Sequence, residues 1–90
     1  MNMKAKLKAK QQLPKWFRGE LYEKGAVVQN RFGGGEIELN NIELSMYDFV
    51  MGATTIMEMG NHDTKLITEL RKGLDWFRMN NAKAYMVLLD

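Results

Sequence analysis

Ninety residues make one domain at most, and a core this small leaves a thin margin of stability. The absence of cysteine excludes disulfides, thiolate metal sites and thiol catalysis, and no run reaches the roughly 18 to 20 apolar residues of a membrane helix. The net charge of +2 joins unlike parts: residues 1–18 hold six Lys and Arg and no acid, while residues 19–90 hold seven Lys and Arg against eleven Asp and Glu, a balance of −4.

Lys4, Lys6, Lys8 and Lys10 recur at every second position in a segment with few large apolar groups. Such a segment buries too little surface to offset its ordering entropy, and Pro14 punctuates its end. Residues 1–14 are therefore expected to be a basic, disordered tail, and residues 15–90 a single small α+β domain. No continuous apolar stretch follows the basic start, so no secretory leader is expected and the reading is cytoplasmic.

From Glu20 to Asn40 the pattern is that of strands. Lys24-Gly25 reads as a turn. Ala26, Val28, Asn30 and Phe32 alternate with Val27, Gln29 and Arg31, and Ile37 and Leu39 alternate with Glu36, Glu38 and Asn40. Gly33-Gly34-Gly35 connects the two runs. This predicts an N-terminal β-hairpin, or a three-stranded meander if Leu21 and Tyr22 join it. A hairpin alone is marginal in water and must pack on something.

Asn40 with Glu43 three residues later has the spacing of a capping box, and Ser45 with Asp48 repeats it one turn on. A helix should run to about Met59, where Gly60-Asn61 stops it. Its apolar positions Ile42, Met46, Phe49, Val50, Ala53, Ile56 and Met57 are widened by Leu44, Tyr47, Met51 and Met59 almost all the way round. A helix apolar on most faces is buried on most faces. This points to a homo-oligomer, with a dimer favoured and Tyr47, Met51 and Met59 as its interface.

Asp63 or Thr64 caps a second helix from Lys65 to about Asn80. Ile67, Leu70, Leu74 and Phe77 have the spacing of one packing seam, and Lys65, Glu69, Lys72, Asp75 and Arg78 are expected to face water. The short connection makes the two helices an antiparallel pair. The apolar run from Tyr85 to Leu89 fits a strand or a last helical turn equally.

No constellation for catalysis stands out. His62 is the single histidine, so no metal site is expected. Glu36, Glu38, Glu43, Asp48 and Glu58 read as solvated charge, and Ser45 has no base beside it. The triple glycine lacks the lysine and hydroxyl residue of a phosphate loop. No cofactor is expected, and the chain reads as non-enzymatic. The basic tail offers another reading. Lys4, Lys6, Lys8, Lys10, Lys15 and Arg18 would neutralise phosphates and Trp16 would stack on bases, which makes nucleic acid a candidate partner. The leading reading is a homo-oligomeric protein that binds another protein.

The segments Trp16-Phe17-Arg18-Gly19-Glu20-Leu21-Tyr22, Glu43-Leu44-Ser45-Met46-Tyr47-Asp48-Phe49-Val50-Met51-Gly52, Gly73-Leu74-Asp75-Trp76-Phe77-Arg78 and Ala84-Tyr85-Met86-Val87-Leu88-Leu89-Asp90 resemble small uncharacterised proteins of T4-like marine cyanophages. The resemblance covers about residues 16–90 and leaves out the tail. It implies a phage source and the cytoplasm of a host cell, and it supplies no catalytic or binding residue.

Overall fold

A computed structural model describes residues 11–89. Two strands, β1 (Ala26–Gln29) and β2 (Glu36–Leu39), form an antiparallel hairpin. Three helices follow: α1 (Asn41–Glu58), α2 (Thr64–Asn80) and α3 (Ala82–Leu88). The fold is α+β, with the hairpin followed by the antiparallel pair α1 and α2, and α3 packs on both α2 and β2.

The hairpin is shorter than the alternation suggested. Ala26 pairs with Leu39, Val28 with Ile37 and Gln29 with Glu36. β1 stops at Gln29 because Asn30 bends the chain: its side-chain oxygen accepts from the Phe32 N–H at 2.7 Å and its carbonyl from the Gly33 N–H at 2.9 Å. Gly33 and Gly35 then take positive φ, 83° and 130°, which glycine adopts without steric cost. Asn30 and Phe32, read as strand residues, therefore lie in the turn. Val28, Ile37 and Leu39 face the core, and Leu39 is fully buried. No third strand forms among the described residues. The Tyr22 N–H, which a meander would pair with a neighbouring strand, instead donates to Ser45 Oγ at 3.0 Å.

The expected helix ends are present and have identifiable causes. Asn40 caps α1, accepting from the Glu43 N–H at 2.7 Å, while Glu43 Oε1 accepts from the Asn40 N–H at 3.0 Å. At the other end Gly60 has φ 100°, its N–H reaches Met57 O, and the Asn61 N–H reaches Ile56 O. This paired closure satisfies the last carbonyls of the helix. Asp63 caps α2 through the Lys65 N–H at 3.0 Å. Asn81 breaks the chain in an extended conformation and then caps α3, accepting from the Ala84 N–H at 3.1 Å. The run from Tyr85 to Leu88 is thus helical.

The helix seam differs from the one predicted. Leu66, Glu69, Gly73 and Phe77 are the buried positions of α2, whereas Ile67, Leu70 and Leu74 are half-buried. Gly73 lets α1 approach: a Cβ there would stand 3.0 Å from Val50 Cγ2 and 3.3 Å from Met46 Sδ. The core is Leu39, Met46, Val50, Phe77, Ala84 and Leu88.

The domain also begins earlier than Pro14. Leu13 and Trp16 pack on the core, the Trp76 indole donates to Gln12 O at 3.0 Å, and Gln11 bonds to both Asn40 and Glu43. Gln11 to Pro14 therefore belong with the body, and the rest of the expected tail, residues 1–10, lies outside the described residues.

Glu43 is buried rather than solvated. Its Oε1 takes the Asn40 N–H, and its Oε2 takes the side-chain amides of Gln11 and Asn81, both at 3.1 Å. Removing that acceptor strands three donors, each costly to leave unmade. Glu43→Ala should lower the unfolding free energy by about 2–4 kcal/mol, and Glu43→Gln by about half as much because one oxygen remains. Urea denaturation of the two variants beside the wild type measures both.

Candidate interaction surface

The faces of α1 are mostly covered from within the chain. α2 takes one side. The segment before the hairpin takes another, with the rings of Trp16 and Phe17 each centred 5.7 Å from that of Phe49 in tilted and edge arrangements. The excess apolar surface of α1 is met largely by residues 13–22 and by the hairpin, and only in part remains on the outside.

Of the three residues expected at an oligomer interface, Tyr47 turns inward. Its ring lies edge-on to Phe77 at 6.4 Å, and burial raises its hydroxyl pKa while the nearby Arg31 opposes that shift. Met51 is half-buried one turn further on. Met59 is 81% exposed, but it sits at the C-cap of α1 and does not adjoin Met51. The structure therefore does not bring the three together.

Met51 instead lines a groove of about 220 Å³ between the hairpin turn, α1 and the end of α3. Phe32, Leu88 and Leu89 supply much of its apolar wall. Phe32 is 85% exposed, and the Arg31 guanidinium lies over its ring at 5.1 Å. Arg31 also approaches Glu58 at 3.7 Å, so one polar pair borders the groove. An apolar wall with a charged edge suits an apolar side chain from another protein, oriented by that edge. Sequence reasoning found Met51 but missed Phe32. The signal was present: an aromatic side chain directly before three glycines has no side chain after it to cover it, and only Arg31 before it reaches the ring.

The residues expected to touch nucleic acid are divided. Lys4, Lys6, Lys8 and Lys10 lie outside the described residues. Lys15 is exposed. Trp16 is half-buried against Phe49. Arg18 binds Glu69, with Nη2 and Nε 2.7 Å and 2.9 Å from Oε1. This contact corrects the placement of Glu69, expected to face water: it is buried under the Arg18 head group. The pairing raises the Arg18 pKa, chiefly through the hydrogen bond.

A second, polar concavity of about 520 Å³ is lined by Glu23, Glu38, Asn40, Asn41, Glu43 and Asn81. Ser45 is buried on α1, donating to Asn41 O at 2.8 Å and accepting from the Tyr22 N–H. Its role here is to fasten residue 22 to α1. His62 is exposed in the connection between α1 and α2. Among the described residues, no helix is long and apolar enough to cross a membrane, and no group of three or more His, Asp or Glu is placed to hold a metal.

Compared with known proteins, the chain matches no family model, no curated protein and no solved structure.

The contrast between Tyr47 and Phe32 is directly measurable. Tyr47→Ala should cost about 2–3 kcal/mol of stability, because it opens the packing over Phe77. Phe32→Ser should change stability by no more than about 0.5 kcal/mol. Denaturant midpoints for the two variants would reverse in order if Phe32 were a core residue.

Proposed function

We propose that this chain is a small non-enzymatic interaction protein that works as a homo-oligomer and binds another protein through the groove at Phe32 and Met51. The observation that carries the reading is Phe32. A large aromatic is held almost fully exposed on a turn fixed by Asn30, beside an apolar groove with its own charged edge. Accessible aromatic and methionine side chains of this kind recur where proteins meet, because they offer adaptable contact area. The absence of a catalytic role is part of the same proposal: Ser45 and Glu43, the residues nearest to a reactive grouping, are both hydrogen-bonded into the framework. A phage origin would place the partner in the host cell or the virion, and the host cytoplasm would be the site of action.

The nucleic-acid reading draws less from the structure. Trp16 packs into the body and Arg18 is neutralised by Glu69, which leaves the lysines as its basis.

A pull-down from lysate of the native source separates the two. The tagged wild type should retain a protein that Met51→Lys loses by about tenfold or more, a change equivalent to roughly 1.4 kcal/mol, with the circular dichroism of the variant unchanged. Replacing Lys4, Lys6, Lys8 and Lys10 by Gln should leave that capture intact. Loss of capture with the lysines, together with indifference to Met51→Lys, would contradict the proposal and favour the tail.

A further inference from the structure

The polar concavity beside Asn40 and Glu43 has the chemistry of a lysine site. We infer that its occupant is the chain's own N-terminal segment, with the ammonium groups of Lys8 and Lys10 held by Glu23 and Glu38. The inference does not depend on the groove at Phe32 and Met51.

The lining offers a ligand negative charge and hydrogen-bond acceptors. Glu23, Glu38 and Glu43 contribute three carboxylates, and no Lys or Arg is among the lining residues. Among the described residues the ion pairs are Arg18 with Glu69, Arg31 with Glu58 and Arg78 with Asp75, so none of these three carboxylates has a cation. The side-chain donors of the site already serve the chain: Asn40 Nδ2 donates to Gln11 Oε1 at 2.8 Å, Asn41 Nδ2 to Tyr22 O at 3.4 Å and Asn81 Nδ2 to Glu43 Oε2 at 3.1 Å. Glu43 is buried, and its partners, the Asn40 N–H and the side-chain amides of Gln11 and Asn81, are all neutral. A buried charge is ordinarily matched by a countercharge. Among the described residues the acidic groups are not placed to share a metal ion. An ammonium group, with three donors and no acceptor, suits what is left. A cleft lined by one sign of charge also concentrates its field on such a group.

The position of Gln11 identifies the source of the ammonium. Its side chain bonds to both Asn40 and Glu43, two of the lining residues. The chain that precedes it therefore starts at the rim of the concavity. Lys10 is the adjacent residue, and Lys8 is at most about 7 Å of chain further on. Residues 1–10 hold four lysines and no acid, against nine Lys and Arg and eleven Asp and Glu in residues 11–90. Exposed ion pairs contribute little singly, but a short tether holds its lysines at an effective concentration of about millimolar. A lysine from another molecule has no such advantage. Glu23 and Glu38 are both exposed and free to close on the incoming groups. Lysines held in this way are screened from a polyanion, which would have to displace them first.

Sub-stoichiometric acylation of the full chain by an N-hydroxysuccinimide ester, read at each lysine by mass spectrometry, tests the inference with Lys4 as internal reference. An ammonium held by carboxylates gives up its proton less readily and so reacts more slowly. At low salt Lys8 and Lys10 should label about threefold or more slowly than Lys4. The difference should disappear in the Glu23→Gln/Glu38→Gln double variant, whose circular dichroism should match the wild type because both positions are on the surface. It should also disappear in about 1 M sodium chloride, where charges are screened beyond roughly 3 Å. Lys8 and Lys10 labelling as fast as Lys4 in the wild type overturns the inference, as does protection that survives the double variant. Protection that weakens on dilution through the micromolar range would place the lysines on a second copy and overturn the intramolecular site.

Discussion

Glu43 points its two carboxylate oxygens inward from the first turn of α1, and three parts of the chain meet on them. One oxygen closes the capping box on the Asn40 N–H. The other receives Gln11 from the segment before the hairpin and Asn81 from the junction of α2 and α3. Asn81 in turn caps α3, and Asn40 Nδ2 donates to Gln11 Oε1 at 2.8 Å. Buried polar networks of this kind stabilise only when every member is satisfied. Among the described residues no buried side-chain nitrogen or oxygen lacks a partner. The start of α1, the entry of the chain and the turn into α3 are thereby fixed relative to one another.

The rest of the packing builds on that arrangement. With its N-terminus fixed, α1 lies close to α2, and Gly73 leaves room for Val50 and Met46 at the crossing. The segment from Leu13 to Tyr22 wraps the far side, held by Trp16 and Phe17 on Phe49, by Arg18 on Glu69 and by the Tyr22 N–H on Ser45. An apolar helix in a small chain thus finds most of its cover internally. The apolar surface left outside includes Phe32 in the hairpin turn, the groove beside Met51, and Ile56 and Met59 at the end of α1.

Local chemistry was legible in the sequence, and long-range chemistry was not. The capping box at Asn40 and Glu43, the stop at Gly60-Asn61 and the cap at Asp63 could all be read, because each depends on residues a few positions apart. Strand alternation gave the hairpin but overran its turn, since alternation does not reveal that the Asn30 side chain folds back on the Phe32 N–H. Glu43 showed its capping role but not its partners, which stand 32 and 38 positions away. Glu69 looked solvent-facing because Arg18, its partner, is 51 positions distant. Gly73 was passed over for a different reason: a hydrophobic pattern gives no weight to a missing side chain, although Gly73 lies on the buried face of α2 against Val50 and Met46. The candidate surface followed the same division. Met51 was found on a helix pattern, whereas its grouping with Phe32 and the end of α3 required the tertiary fold.

Glu43 couples elements far apart in sequence, beyond capping its own helix. Native-state hydrogen exchange in wild type and Glu43→Ala measures that coupling at individual amides. Protection should fall by about tenfold or more at Phe17, Ala84 and Tyr85 together with Leu44, because the entry segment and α3 would loosen along with the first turn of α1. A loss confined to Leu44 and its neighbours, with Phe17 and Tyr85 unchanged, would reduce Glu43 to a local cap and contradict the account.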